Sequence, residues 1–159
     1  MIYNANESAG YRQLKEMALA FVNAMKLGDE PGAYKKEACE TKPSAYGAYH
    51  AAVILSLFGE LQKLDGKTID AWAARINAYQ CGNGYYSNHP ENKDRVRGAD
   101  ELDSIWHFTR GMLWTLYVLG RRPEAVLCFL EPLLNKERMY SYVKKYDWSI
   151  SWAAGNQIC

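Results

Sequence analysis

Apolar residues return at three- and four-residue steps along most of this chain, the spacing of helices that bury one face. Between residues 8 and 27 the run is Leu14, Met17, Ala18, Phe21, Val22 and Met25, and Gly28 stops it. Pro43-Ser44 opens a second run reaching about Leu64, with Tyr46, Tyr49, Val53, Leu57 and Phe58 on or near one face. Asp65-Gly66 breaks that run, and Thr68 is placed to cap a third helix to Gln80, carrying Ile69, Trp72, Ile76 and Tyr79. A fourth helix starts at Asp100 or Asp103, where carboxylates suit a helix N-terminus, and runs to Leu119. In Gly120-Arg121-Arg122-Pro123, glycine ends one helix and proline takes the first turn of a fifth, which runs to about Leu130. Pro132 interrupts, and Asn135 caps a sixth helix from Lys136 to Lys145. No stretch alternates with the two-residue period of a half-buried strand. The pattern predicts an all-α protein.

Two of these runs match each other. Ser44-Ala45-Tyr46-Gly47-Ala48-Tyr49-His50 leads through Leu57-Phe58-Gly59, and Ile105-Trp106-His107-Phe108-Thr109-Arg110-Gly111 leads through Val118-Leu119-Gly120. Their closing glycines, Gly59 and Gly120, stand 61 positions apart, and self-similarity at a fixed distance marks a repeated structural unit. The expectation is one domain over residues 1–159, built from antiparallel helical hairpins at about 44–80 and 103–145. The segment 148–159 carries Trp148 and Trp152 and reads as the opening of a further apolar helix, which docks back or continues a longer array. Cys81 to Ala99 is the longest irregular stretch, rich in Gly, Asn, Ser and Pro, and loops of that length are often functional.

Composition narrows the classes. A chain of 159 residues, 48% of them apolar, suits one globular domain. Its 12 Tyr and 5 Trp suit helix seams and ring-lined cavities, because each carries a polar tip on a large apolar body. Nineteen basic and 18 acidic residues leave a net charge of +1, which gives no pull toward nucleic acid or an anionic membrane. The four cysteines, Cys39, Cys81, Cys128 and Cys159, form no CxxC pair and suggest no zinc or redox site; Cys128 reads as a small buried apolar residue. The polar start and the lack of a membrane-length apolar run favour a soluble, cytoplasmic setting. No metal or cofactor is expected, since no His/Cys/Glu cluster has ligand spacing and Gly82-Asn83-Gly84 follows a helix instead of a strand.

The stretch Trp72 to Tyr86, with Tyr79-Gln80-Cys81-Gly82-Asn83-Gly84-Tyr85-Tyr86 at its end, resembles the Q-x-x-D-G-aromatic turn of the α/α-toroid proteins. These include terpenoid cyclases, protein prenyltransferase β subunits and several polysaccharide-processing enzymes. Asn83 stands where an acidic residue is common in them. The resemblance covers roughly residues 44–158 and implies an incomplete toroid, since six hairpins need more than twice this length. Asp100-Glu101-Leu102-Asp103 matches neither the D-x-D-D nor the D-D-x-x-D motif, and no Cys accompanies His107 as prenyltransferase zinc requires.

Candidate chemistry gathers at the starts of the two matched helices. Asp103, His107 and Arg110 follow i, i+4, i+7 spacing, so they share a face, and a carboxylate one turn from a histidine orients it for proton transfer. With Tyr46 they form the expected catalytic set, His107, Asp103 and Tyr46; Tyr49, His50, Arg110, Trp106 and Tyr85 are the expected binding residues. A local helix-start network is the simpler account of Asp103, His107 and Arg110, and a hydrogen-bonded inner residue that of His50. His89, before Pro90, reads as a solvated loop histidine. The aromatic stripe Trp106, Trp114 and Tyr117, with Trp72 and Tyr79, reads first as core. Three functions fit: a binding or accessory module; a carbohydrate-active lyase or hydrolase using the His/Asp/Tyr set; or an isoprenoid-binding protein. The partners expected are a small-molecule or saccharide ligand, and a second copy or another chain completing the helical array.

Overall fold

The computed structural model describes residues 8–87, 99–145 and 148–149, with the backbone alone for 99–104 and 132. The described residues are all-α: helices α1 (Ala9–Met25), α2 (Ala45–Leu57), α3 (Gly66–Asn77), α4 (Ala99–Val118) and α5 (Lys136–Val143). Two 3-10 segments, Leu61–Lys63 and Cys128–Leu134, lie between them. Sheet-like pairing among these residues is confined to two isolated antiparallel bridges. The chain divides into two compact units, Met1–Trp72 and Ala73–Cys159, with the division inside α3.

In the first unit, Ser8 caps α1 by accepting a hydrogen bond from the Tyr11 amide (3.2 Å). The helix buries Val22 and Met25 but leaves Leu14, Met17 and Phe21 outside. Its partner α2 presents small residues inward, and Ala45, Gly47, Ala48, Ala51 and Ala52 are all buried. Small side chains let two helix backbones approach without bulky knobs between them, so α1 and α2 pack directly. Lys15 on α1 pairs with Glu60 just after α2 (3.2 Å), and Lys63 holds the same carboxylate (2.6 Å). Those hydrogen bonds, Lys63 first, keep the Glu60 carboxyl below the usual carboxylate range. Trp72 is buried in this unit and stacks on Tyr34 with ring centroids 5.3 Å apart.

In the second unit, Ile76, Tyr86, Thr109, Met112, Thr115 and Leu116 are fully buried. The expected sixth helix is present as α5, and Asn135 caps it by accepting from the amides of Glu137 (3.0 Å) and Arg138 (3.1 Å). At the other end Trp148 is half-exposed and donates its indole N–H to the Val143 carbonyl (3.1 Å). Trp152 and the rest of the expected C-terminal segment lie outside the described residues.

The matched helices end alike. After α2 the Glu60 amide donates to Leu55 (2.8 Å) and the Gly59 amide to Ser56 (3.1 Å). After α4 the Arg121 amide donates to Leu116 (2.8 Å) and the Gly120 amide to Tyr117 (3.0 Å). Both closures need a left-handed residue, and Gly59 (φ +72°) and Gly120 (φ +65°) supply it at no steric cost. Each matched helix also follows a loop pinched by one antiparallel bridge, Lys26 with Tyr34 and Gln80 with Tyr86. The two helix ends 61 positions apart thus share one closure, whereas the bridges before them stand 54 and 52 positions apart.

Several expectations need correction. The second helix stops at Leu57, seven residues before Leu64, because the Gly59 closure turns the chain there. Asp65, not Thr68, caps α3: its carboxylate accepts from the Thr68 amide (3.0 Å) and hydroxyl (2.8 Å), which hold its pKa below the usual range. There is no α-helix from Pro123 to Leu130. The Ala125 amide and carbonyl, which a helix would use, are both engaged by the Gln80 side chain. Cys128, expected inside, is exposed, since the 3-10 segment gives it no inward face. The aromatic stripe splits: Trp72 is buried, whereas Trp114 and Tyr117 face outward because Thr109, Met112 and Leu116 occupy the inner face of α4.

Candidate functional site

The residues expected to form one site fall in both units: Tyr46, Tyr49 and His50 in the first, and Tyr85, Asp103, Trp106, His107 and Arg110 in the second. Asp103 lies in α4, with its side chain outside the described residues, as is the whole of His89. His107 and Arg110 are half-buried on the same continuous helix. Tyr85 and Trp106 are brought together: their rings meet edge to face at 5.3 Å, and Phe129 stacks on Tyr85 at 4.1 Å. Phe129 also meets Trp106 edge to face at 5.2 Å. With one Tyr85 face covered by Phe129, the trio is a satellite apolar cluster more than an open stacking platform.

Beside that cluster, a buried polar set ties the second unit together. The Gln80 amide group accepts from the Ala125 amide (2.7 Å) and donates to the carbonyls of Ala125 (3.0 Å) and Gly84 (3.4 Å). Thr109 accepts from the Tyr86 amide (3.0 Å) through its hydroxyl, and the Tyr86 phenol donates to Asn77 (2.9 Å). Burial, with Glu124 nearby, raises the Tyr86 pKa. Gln80 is thus the residue in the resembling turn with the clearest structural role: it satisfies a backbone that is not helical.

The first unit holds a hollow. A cavity of about 70 Å³ opens between α1 and α2, lined by Phe21, Val22, Met25, Gly47, Ala51 and Ile54, with Lys35, Lys36 and His50 also bordering it. Its position follows from the backbone. The Lys35 amide donates to Met25 at the end of α1 (2.9 Å), and the Ser44 amide at the start of α2 donates to Tyr34 (2.7 Å). The segment Tyr34–Lys35 is therefore pinned across both helix ends. Gly47 makes this possible: a Cβ there would overlap the Tyr34 carbonyl oxygen and lie 2.7 Å from the Lys35 carbonyl. Glycine on α2 and the bridged loop together bring two lysines to the edge of an apolar gap.

Three of the expected residues belong to this surroundings. His50 borders the cavity, its ring 4.8 Å from Tyr49 and 6.4 Å from Tyr46. Burial raises the Tyr46 pKa, and the Lys36 ammonium pulls it back, which puts that charge within electrostatic reach of the phenol. Lys36 pairs with the exposed Glu37 (3.4 Å), and the Lys35 ammonium donates to the Ala38 carbonyl (3.0 Å). Sequence reasoning missed Lys35 and Lys36, which it left inside a polar connection. Their only sequence signal is a pair of adjacent charges directly after the aromatic Tyr34.

Arrangement and charge give this site a defined chemistry. An apolar lining can accept a few carbon atoms, and Lys35, Lys36 and His50 stand at its border. Among the described residues no three His, Cys, Asp or Glu side chains are grouped to hold a metal ion, and no helix is long and apolar enough to cross a membrane. No protein family, curated protein or solved structure matches the chain, so the likeness to the toroid proteins rests on the residues of the Gln80 turn alone.

Proposed function

We propose that this chain is a helical-repeat binding module whose first unit takes a small amphiphilic ligand. The observation that carries the reading is the hollow between α1 and α2, apolar at its base and bordered by Lys35, Lys36 and His50. Comparison of the two matched helices supports a gap that is built in. Ala51 occupies the position where, 61 residues on, the second helix has Met112, which is fully buried. The same local frame is filled by a long side chain in one unit and left open in the other. Methyl-resolved NMR tests the proposal, with four-carbon probes of different head group (butanol, butyramide and butyrate) titrated into the whole chain. The expected result is shifts confined to the methyls of Val22, Met25, Ala51 and Ile54. No shift with any probe refutes it.

A second reading, association with another copy, is favoured by one separate observation. Leu14, Met17 and Phe21 form an i, i+3, i+7 stripe on α1, and all three are more than half exposed. Repeat units bury such faces against a neighbour of the same kind. Light scattering on the wild type and on Met17→Lys tests it: the wild type exceeds the monomer mass and the variant does not. A wild type that stays monomeric at high concentration refutes it.

A further inference from the structure

We infer that the hollow in the first unit is the seat for Met17 of a second copy, so that two chains associate through α1 and α2 with each methionine entering the other's gap. This rests on self-association, the second reading above, and adds where and how the copies meet. Size comes first. A cavity of about 70 Å³ is roughly half of one that encloses benzene, so it takes about three heavy atoms. A methionine side chain has Cγ, Sδ and Cε beyond its Cβ, and being unbranched it fits a narrow gap. The matched helix supplies the comparison. Met112 and Ala51 stand at the same distance before their closing glycines; Met112 is fully buried, whereas Ala51 lines the hollow. What the second unit fills from its own helix, the first leaves for a side chain from outside.

The face around the hollow is short of a cover. α2 carries no charged residue, yet it buries alanine and glycine alone, while Ile54 is half-buried and Leu57 is 73% exposed. A helix that is apolar all round belongs in an interior. On α1 no charged residue falls between Met17 and Met25, and Met17 is 64% exposed. Both helices contribute to one face: Phe21, from the exposed α1 stripe, and Ile54, one turn before Leu57, line the same hollow. Leu14, Met17, Phe21 and Leu57, each more than half exposed, offer roughly 400 Å² of surface. A standard dimer face of about 800 Å² is a little over half apolar, which is about that area.

Association about a two-fold axis needs a patch that carries both knob and hole. Here α1 lines the hole with Phe21, Val22 and Met25, and the knob stands about one turn earlier on the same helix. Setting α1 antiparallel to its counterpart about an axis near Ala20 puts each Met17 level with the other copy's hole, and the contact is made twice. Ala20 is small and exposed, so the two backbones can approach there. The overlapping turns, residues 17–23 of each copy, carry no charge to desolvate. Met17 and a small ligand compete for one space, so the single copy is the form that binds ligand.

Sedimentation equilibrium of the whole chain over a dilution series tests the seat as a double-mutant cycle. The wild type is expected to dimerise. Met17→Ala removes the knob and Ala51→Met fills the hole, and each is expected to raise the dissociation constant about tenfold or more. In the double variant the hole is filled but nothing enters it, so association is expected to be no weaker than in Ala51→Met alone. Losses that add in the double variant, or dimerisation unchanged in either single variant, overturn the seat and leave self-association standing. A wild type that stays monomeric overturns both. A mixture of isotope-labelled and unlabelled wild type gives a readout that needs no variant. A nuclear Overhauser contact is expected between the Met17 ε-methyl of one copy and the Ala51 or Ile54 methyl of the other. A dimer without that contact overturns the seat.

Discussion

Replacing Gln80 by alanine removes the group that keeps the Ala125 peptide from being stranded. The Ala125 amide loses its 2.7 Å acceptor, its carbonyl loses a 3.0 Å donor, and the Gly84 carbonyl loses a weaker contact at 3.4 Å. A buried backbone group left without a partner costs about 1–3 kcal/mol. Gln80 itself is buried, but Ala125 is half-buried, so water relieves part of the loss. Two such groups, partly relieved, give about 2–4 kcal/mol for Gln80→Ala. Urea unfolding followed by circular dichroism measures it. Gln80→Glu sharpens the test, because the carboxylate still accepts from the Ala125 amide but its other oxygen faces two carbonyl oxygens instead of donating to them. Those contacts raise the folded-state pKa of the new carboxyl above its unfolded value. Its stabilising contribution is then present in acid and lost as pH rises through the folded value. Relative to the wild type, Gln80→Glu becomes more stable on going from neutral pH to about pH 4. A cost for Gln80→Ala below about 0.5 kcal/mol, or no pH dependence of the Glu variant relative to the wild type, refutes the reasoning.

Other predictions follow from the repeat and from the buried phenol. Gly59→Ala and Gly120→Ala each place a Cβ in open space but in the left-handed region, so each costs about 1–2 kcal/mol in urea unfolding, and the two costs agree within about 0.5 kcal/mol. A large disparity contradicts the equivalence of the two helix ends. Tyr86→Phe loses one hydrogen bond to Asn77 and about 1 kcal/mol at neutral pH. The Tyr86 pKa is raised above its unfolded value near 10.0, so its contribution is full below that pH and is lost as pH rises beyond it. Tyr86→Phe therefore flattens the alkaline fall in stability without abolishing it, since Tyr34 and Tyr46 are shifted the same way. Trp72→Phe costs less than its lost area implies, because the indole N–H it removes is buried without a hydrogen-bond partner.

What the sequence made legible is what local physics decides. The three-and-four spacing of Leu14 to Met25, the Asn135 cap and the glycines after Phe58 and Leu119 each act over one or two helical turns, and the structure has helices or helix ends at all of them. The 123–130 segment failed because a residue 45 positions away decides it: the Gln80 side chain takes the backbone groups a helix would use. Periodicity cannot carry that information. The same limit hid the hollow. Gly47 and Ala51 read as ordinary small residues of a packed helix, and Lys35 and Lys36 as a solvated connection. Only the pinning of Tyr34–Lys35 between Met25 and Ser44 brings those four residues around one gap. Of the expected site, His50 borders that gap and Tyr46 lies within reach of its lysine. Tyr85 and Trp106 meet each other in the second unit instead.

The most direct test is the urea midpoint of the wild type and of Ala51→Met, each with and without butyrate. Ligand that binds only the folded chain adds about 1.4 kcal/mol when present at about ten times its dissociation constant. The account predicts that gain for the wild type and none for Ala51→Met, whose added side chain is accommodated without loss of stability, because it enters space that is already open. A variant that gains as much as the wild type, or that is destabilised by about 2 kcal/mol or more as in an overfilled core, contradicts the claim that an open, ligand-sized site lies between α1 and α2.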